Sequence, residues 1–141
     1  MRDLYSRLSP AVTLAAQTAD ADVTGTEVDL QGFESAMISL EIGVGGISFS
    51  GSNKIEFVLE HSDDKISWTA VTAEDVQGVT GITSGIVKAL TTAHATADVT
   101  RIGYVGGKRY IRLNADFSGT HGTGTPFAAT VIRGNPALAP V

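Results

Sequence analysis

KIEFVLEHSDDKISWTAV, residues 54–71, reads as two strands joined by a compact polar turn. In its first half Ile55, Phe57 and Leu59 alternate with Lys54, Glu56 and Glu60. A period of two puts the apolar side chains on one side of a strand and the charged ones on the other, as in a sheet with one face on a core and one in water. Ser62-Asp63-Asp64 comes next. Such short side chains hydrogen-bond their own backbone and favour a turn. The returning strand, Ile66–Val71, carries Trp68, the one tryptophan of the chain. Ile66, Trp68 and Ala70 share a parity, which favours Trp68 in the core over the alternative of a surface sugar-stacking platform.

The same alternation recurs on both sides of this hairpin. In Ser35–Val44, Ala36, Ile38, Leu40 and Ile42 fall on one face, and Met37, Ser39 and Glu41 on the other. In Lys108–Phe117, Ile111, Leu113, Ala115 and Phe117 face in, and Tyr110, Arg112, Asn114 and Asp116 face out. Shorter strands are predicted at Ile86–Leu90 and Phe127–Arg133, and a loop over Thr91–Thr100. Strands of this length between Gly, Asp and Asn signals indicate a sandwich or barrel. The expectation is one all-β domain, a β-sandwich or jelly-roll-like body over residues 12–134. An arm at 1–11 precedes it and an extended tail at 135–141 follows. Pro10 ends any helix begun at Arg2, and Pro136 and Pro140 keep the tail extended. Ile38, Leu40, Ile55, Phe57, Leu59, Trp68, Ile111, Leu113 and Phe127 are expected to form one core.

Composition narrows the function. A chain of 141 residues suits one domain. Sixteen glycines and only 18% charged residues fit strands and tight turns better than helices. The formal net charge of −5 gives no general electrostatic reason to bind a phosphate backbone, so no nucleic acid is expected as partner. There is no cysteine, which removes disulfides and thiolate metal sites. No apolar run approaches the ~18 residues of a membrane helix, and the apolar stretch near the start is too short for a signal peptide.

No residue pattern points to catalysis. His61, His94 and His121 lack the spacing of common metal sites. Asp63-Asp64, like Asp20 and Asp22, fits turn chemistry better than a carboxylate pair or a calcium site. Gly103–Lys108, GYVGGK, fails as a phosphate loop, because Ile102 stands where the first glycine belongs and Arg109 where Ser or Thr belongs. No catalytic residue, metal or cofactor is expected.

Four segments carry a resemblance: DLQGFESAMISLEIG (29–43), LEHSDDKISWTAV (59–71), IGYVGGKRYIRLNADF (102–117) and VIRGNPALAPV (131–141). In order and spacing they resemble a group of small virion proteins of tailed bacteriophages and prophages. The resemblance covers most of the chain and is loosest over 72–100. It implies a non-enzymatic structural protein, most like a capsid decoration or cement protein. Such a protein is made in the host cytoplasm and sits on the outer capsid surface. The implied partners are the major capsid protein and further copies of the chain, as a homo-oligomer, a trimer. The apolar residues of the two terminal segments, Leu4, Tyr5, Leu8, Pro136, Leu138 and Val141, are the expected contact residues. Extended termini of this kind can add to a neighbour's sheet edge. Two other readings stand beside it: a tail or head-fibre component, and a carbohydrate-binding module for host recognition. A fibre normally shows a repetitive shaft, and a sugar-binding module several exposed aromatics. Neither pattern is visible among five Phe, three Tyr and one Trp.

Overall fold

The computed structural model describes all 141 residues. The chain is all-β, with ten antiparallel strands in two sheets and a single 3-10 turn at Tyr5–Arg7. The strands are β1 (Ser9–Ala19), β2 (Val28–Asp29), β3 (Phe33–Ile42), β4 (Lys54–Ser62) and β5 (Thr69–Ala70). They continue with β6 (Val76–Gln77), β7 (Ile86–Leu90), β8 (Asp98–Tyr104), β9 (Tyr110–Ser118) and β10 (Thr125–Pro136). One sheet runs β1-β10-β3-β8-β6. The other runs β2-β9-β4, with β5 and β7 sharing the far edge of β4.

The long pairings nest within one another. β1 pairs with β10, β2 with β9, β3 with β8 and β4 with β7. A chain doubled into one long hairpin about the β4–β7 connection, then rolled up, produces that nesting. The result is β1-β10-β3-β8 facing β2-β9-β4-β7, the jelly roll of two Greek keys.

The core lies between the sheets and is made by the predicted alternation. Ile38, Leu40, Ile55, Phe57, Leu59, Ile111, Leu113 and Phe127 are all buried. Phe57 of one sheet meets Phe127 of the other edge to face, with ring centroids 5.4 Å apart. Trp68 is the exception, and the expectation of a core tryptophan is corrected. Its neighbour Ile66 is 84% exposed. Only Thr69 and Ala70 pair with β4, so period-two parity does not extend back to Trp68. The turn uses up the intervening residues. The Ser62 hydroxyl accepts the amides of Asp64 and Lys65, and the Asp64 carboxylate accepts those of Ile66 and Ser67. Lys65 is thereby held at φ 65°. Trp68 instead lies half-buried on the outside, with Arg112 stacked 4.1 Å from its ring centroid. Its indole N–H donates to the Lys65 carbonyl at 3.1 Å.

The loop expected at Thr91–Thr100 is also corrected at its end. β8 starts at Asp98 and pairs with β3 through Ile42↔Asp98 to Ala36↔Tyr104 without a register shift. Val99 and Thr100 suit a strand once β3 supplies the template. At the two ends of the chain, β1 takes in Ser9–Ala11 and β10 takes in Asn135 and Pro136.

Polar groups join the layers at the open end of β1. The buried Thr13 hydroxyl donates to the Thr26 carbonyl at 2.9 Å and accepts the Leu113 amide of β9 at 3.0 Å. Gly25 lies so close that an added Cβ would overlap the Leu113 carbonyl. At the other end Arg133 donates to the Ser9 carbonyl and hydroxyl and to the Asp29 carbonyl of the opposite sheet.

Candidate functional site

The structure brings both terminal segments to one place. Residues 1–8 do not extend away from the body. The Asp3 carboxylate accepts the Ser6 amide and hydroxyl, and the Arg7 amide donates to the Leu4 carbonyl, closing a single 3-10 turn. Pairing of Ser9 with Arg133 and Pro10 with Ile132 then fixes where the turn sits. On the other side Pro136 pairs with Phe33, the Ala137 amide donates to the Gly32 carbonyl, and the tail runs on to Val141. Leu4, Tyr5, Leu8, Ser9, Pro10 and Val141 line one cleft of about 400 Å³.

Four of the six expected contact residues, Leu4, Tyr5, Leu8 and Val141, therefore meet in a single feature. Leu138 is exposed but stands outside the cleft, and Pro136 is held in β10. Tyr5 is 89% exposed and Leu4 66%, so large apolar surface is left open to water. Contiguous exposed apolar surface marks contact sites more often than chance.

The two outer faces of the jelly roll differ in chemistry. On the β4–β9 side the outward residues carry charge: Lys54, Glu56 and Glu60 on β4 and Arg112 and Asp116 on β9, with Lys88, whose register is that of the inward Phe57, at the β7 edge. Most are paired within the chain. Lys54 meets Glu56 at 2.6 Å, Arg112 meets Glu60 at 2.8 Å, and Lys88 meets Asp98 at 3.5 Å. At the rim, Arg109 forks onto Asp29 with contacts of 2.9 and 2.7 Å, which holds the Asp29 carboxyl down at about 2.

The outer face of β1-β10-β3-β8 is neutral and largely apolar by contrast. Its cross-strand rows are Pro10–Ile132–Met37–Gly103, Val12–Thr130–Ser39–Arg101 and Ala128–Glu41–Val99. Glu41 and Arg101 are the two charges on these rows. A groove of about 510 Å³ crosses one end of the face at Ala16, Glu41, Val99, Pro126 and Ala128, and the terminal cleft meets the face at its other end, at Pro10. Sequence analysis had placed Met37, Ser39 and Glu41 outward, but it did not single them out. The signal, an outward set poor in charge, becomes legible only once the neighbouring strands are known.

The histidines are fixed by packing. His61 is buried with Nδ1 3.0 Å from the Tyr104 hydroxyl, which itself accepts the Lys108 amide at 3.1 Å. Burial pushes the His61 imidazole below its usual value, aided by Lys108 and opposed by the carboxylates of Asp75 and Asp63. Burial likewise raises the Tyr104 phenol. Burial thus favours the neutral form of both groups, and their contact links β4, β8 and the turn before β9. His121 is buried beside Phe49 and Phe117 and contacts the Ser118 carbonyl at 2.7 Å. His94 lies 3.4 Å from Asp98.

A pH dependence follows from His61. In the unfolded chain the imidazole takes a proton as pH falls through about 6.5, whereas in the folded chain it does so only at lower pH. The stability contributed by neutral His61 is therefore complete above about pH 6.5 and is lost as pH falls below it. Urea midpoints should drop between pH 7.5 and pH 5. His61→Gln, which keeps a partner for Tyr104, should reduce that drop, and an unchanged drop would contradict the assignment.

No protein-family model matches the chain, and no curated protein matches it. Among solved structures it is similar to one from Bacillus endospore appendages, described as a family of disulfide-linked pili. That likeness covers 92% of this chain and 89% of the other at 14% identity, with a TM-score of 0.38. At those values it carries no functional weight, and the present chain has no cysteine.

Proposed function

We propose that this chain is a structural protein of a tailed-phage virion, a capsid decoration protein that binds the outside of the assembled head through its terminal segments. The observation that carries the reading is the convergence of residues 1–8 and Val141 into one exposed apolar cleft beside the neutral sheet face. The jelly roll supports it as a body, since that fold recurs in viral capsid domains, though it serves lectins equally. The acidic net charge supports an outer rather than a DNA-facing position, because unpaired carboxylates repel phosphate. A shell offers many identical sites, so a modest single-site affinity is multiplied when linked copies engage together.

The reading is tested on particles. DNA-filled heads lacking the protein should release DNA at a lower temperature than heads carrying it, and adding the purified chain should restore the higher temperature. Chains without residues 1–8, or without residues 137–141, should fold with unchanged near-UV circular dichroism and fail to restore it. Equal heat resistance with and without the protein, together with failure of the deficient particles to adsorb to cells, would replace decoration by host recognition.

A further inference from the structure

We propose that the outer face of the β1-β10-β3-β8 sheet is where two copies of this chain pair, face to face across a two-fold axis, with Glu41 of each copy against Arg101 of the other. This pairing does not depend on the virion reading, because it is a property of the purified chain.

Charge is the first reason. Glu41 and Arg101 are both exposed, of opposite sign, and on neighbouring strands β3 and β8. Neither forms an ion pair within the chain, although most charged residues on the opposite sheet do. Around them the face presents Val12, Met37, Val99, Ala128, Thr130 and Ile132. Two unpaired charges of opposite sign in an apolar field fit a surface that supplies one complement to each.

Symmetry is the second. A two-fold interface uses the same patch on both partners, so the patch must complement itself. Ser39 is paired with Arg101, and Glu41 with Val99, so Glu41 and Arg101 sit one strand and one row apart. A two-fold axis lying in the interface, across the midpoint of the line joining them, exchanges their positions. One operation then forms two Glu41–Arg101 contacts and sets the apolar residues of the two faces against one another, with their rows crossing. The chain carries a net charge of −5, so most ways of bringing two copies together set like charges against each other. This face carries one charge of each sign and escapes that repulsion.

Area sets the strength. Four strands spaced about 4.8 Å apart and three outward rows about 7 Å apart make a patch of about 400 Å². That is half of the roughly 800 Å² per partner in a standard stable interface. A patch of that size falls with weak, transient interfaces, so the pair is expected only at micromolar concentrations and above. The edge of β1 offers no competing route to self-association. It carries Pro10 and register shifts at Val12/Leu14 and Leu14/Gln17, devices that blunt an edge against strand pairing.

Sedimentation velocity on the full chain from about 1 to 500 μM tests the pairing. The chain should shift from monomer to dimer across that range. Glu41→Arg alone and Arg101→Glu alone should each weaken association by at least about tenfold, since each sets like charges in contact. The double variant Glu41→Arg/Arg101→Glu should return to within about threefold of the parent. Both positions are exposed, so folding of each variant can be confirmed by circular dichroism before the comparison. A chain that stays monomeric through about 500 μM overturns the proposal. So does a trimer, a dimer indifferent to either single substitution, or a double variant that fails to recover.

Discussion

Phe57→Ala is expected to lose about 3–5 kcal/mol of folding stability at 25 °C. Phe57 is fully buried on β4, and its ring meets Phe127 of the opposite sheet edge to face at 5.4 Å. Truncating a buried Phe to Ala costs about 3–5 kcal/mol, from lost transfer energy and from the cavity left behind. A domain of this size has about 5–15 kcal/mol of stability in total. The site collapses poorly because flanking residues Ile55 and Leu59 are themselves held by β9 on one side and, on the other, by β7 and by backbone bonds to Gly85 and Val71. Urea unfolding reads the loss directly. Phe57→Leu should lose clearly less, and Ile66→Ala, on the exposed turn, should stay within about 0.5 kcal/mol of the parent. A Phe57→Ala chain within about 1 kcal/mol of the parent would contradict the packing described.

Thr13→Val is the second large effect, and it arises from hydrogen bonding rather than volume. The two side chains have nearly the same shape. The hydroxyl, however, holds two backbone groups at once, the Thr26 carbonyl at 2.9 Å and the Leu113 amide at 3.0 Å. Valine leaves the buried Leu113 amide without a partner, while the exposed Thr26 carbonyl can turn to water, and an orphaned buried group costs about 1–3 kcal/mol. A loss of about 1–3 kcal/mol is expected, with the β1–β9 junction exchanging its amide hydrogens faster than the rest of the sheet. Thr13→Ser keeps the hydroxyl and should retain most of the stability. A valine variant as stable as the serine one would show that the hydroxyl is not the link.

The fold was legible where a strand has one wet face. β3, β4 and β9 announce themselves by alternation, because Ile38-Leu40-Ile42, Ile55-Phe57-Leu59 and Ile111-Leu113-Ala115 are buried and their neighbours, Tyr110 apart, are not. β8 was hidden. Its outward residues are Val99, Arg101 and Gly103 and its inward ones Thr100, Ile102 and Tyr104, a mixture with no clean period. Its pairing with β3 makes it a strand, a long-range cause that no local window contains. Trp68 misled for a related reason. Parity holds only within a continuous strand, and the hydrogen bonds of Ser62 and Asp64 carry the chain through a turn before pairing begins at Thr69. The residues proposed as terminal contacts stand out in the sequence as apolar side chains in polar, Pro-broken segments. That Leu4, Tyr5, Leu8 and Val141 share one cleft was not legible there, because it follows from β1 pairing with β10 across the whole length of the sequence.

The reading of this chain as a head protein rests on where it sits on a particle, and a density map of the assembled virion measures that directly. The expected result is density for the jelly roll on the outside of the head, with Leu4, Tyr5, Leu8 and Val141 buried against coat subunits and the charged β4–β9 face turned to solvent. Density confined to the tail or a fibre, or a head-bound chain whose terminal cleft faces open solvent, would contradict it.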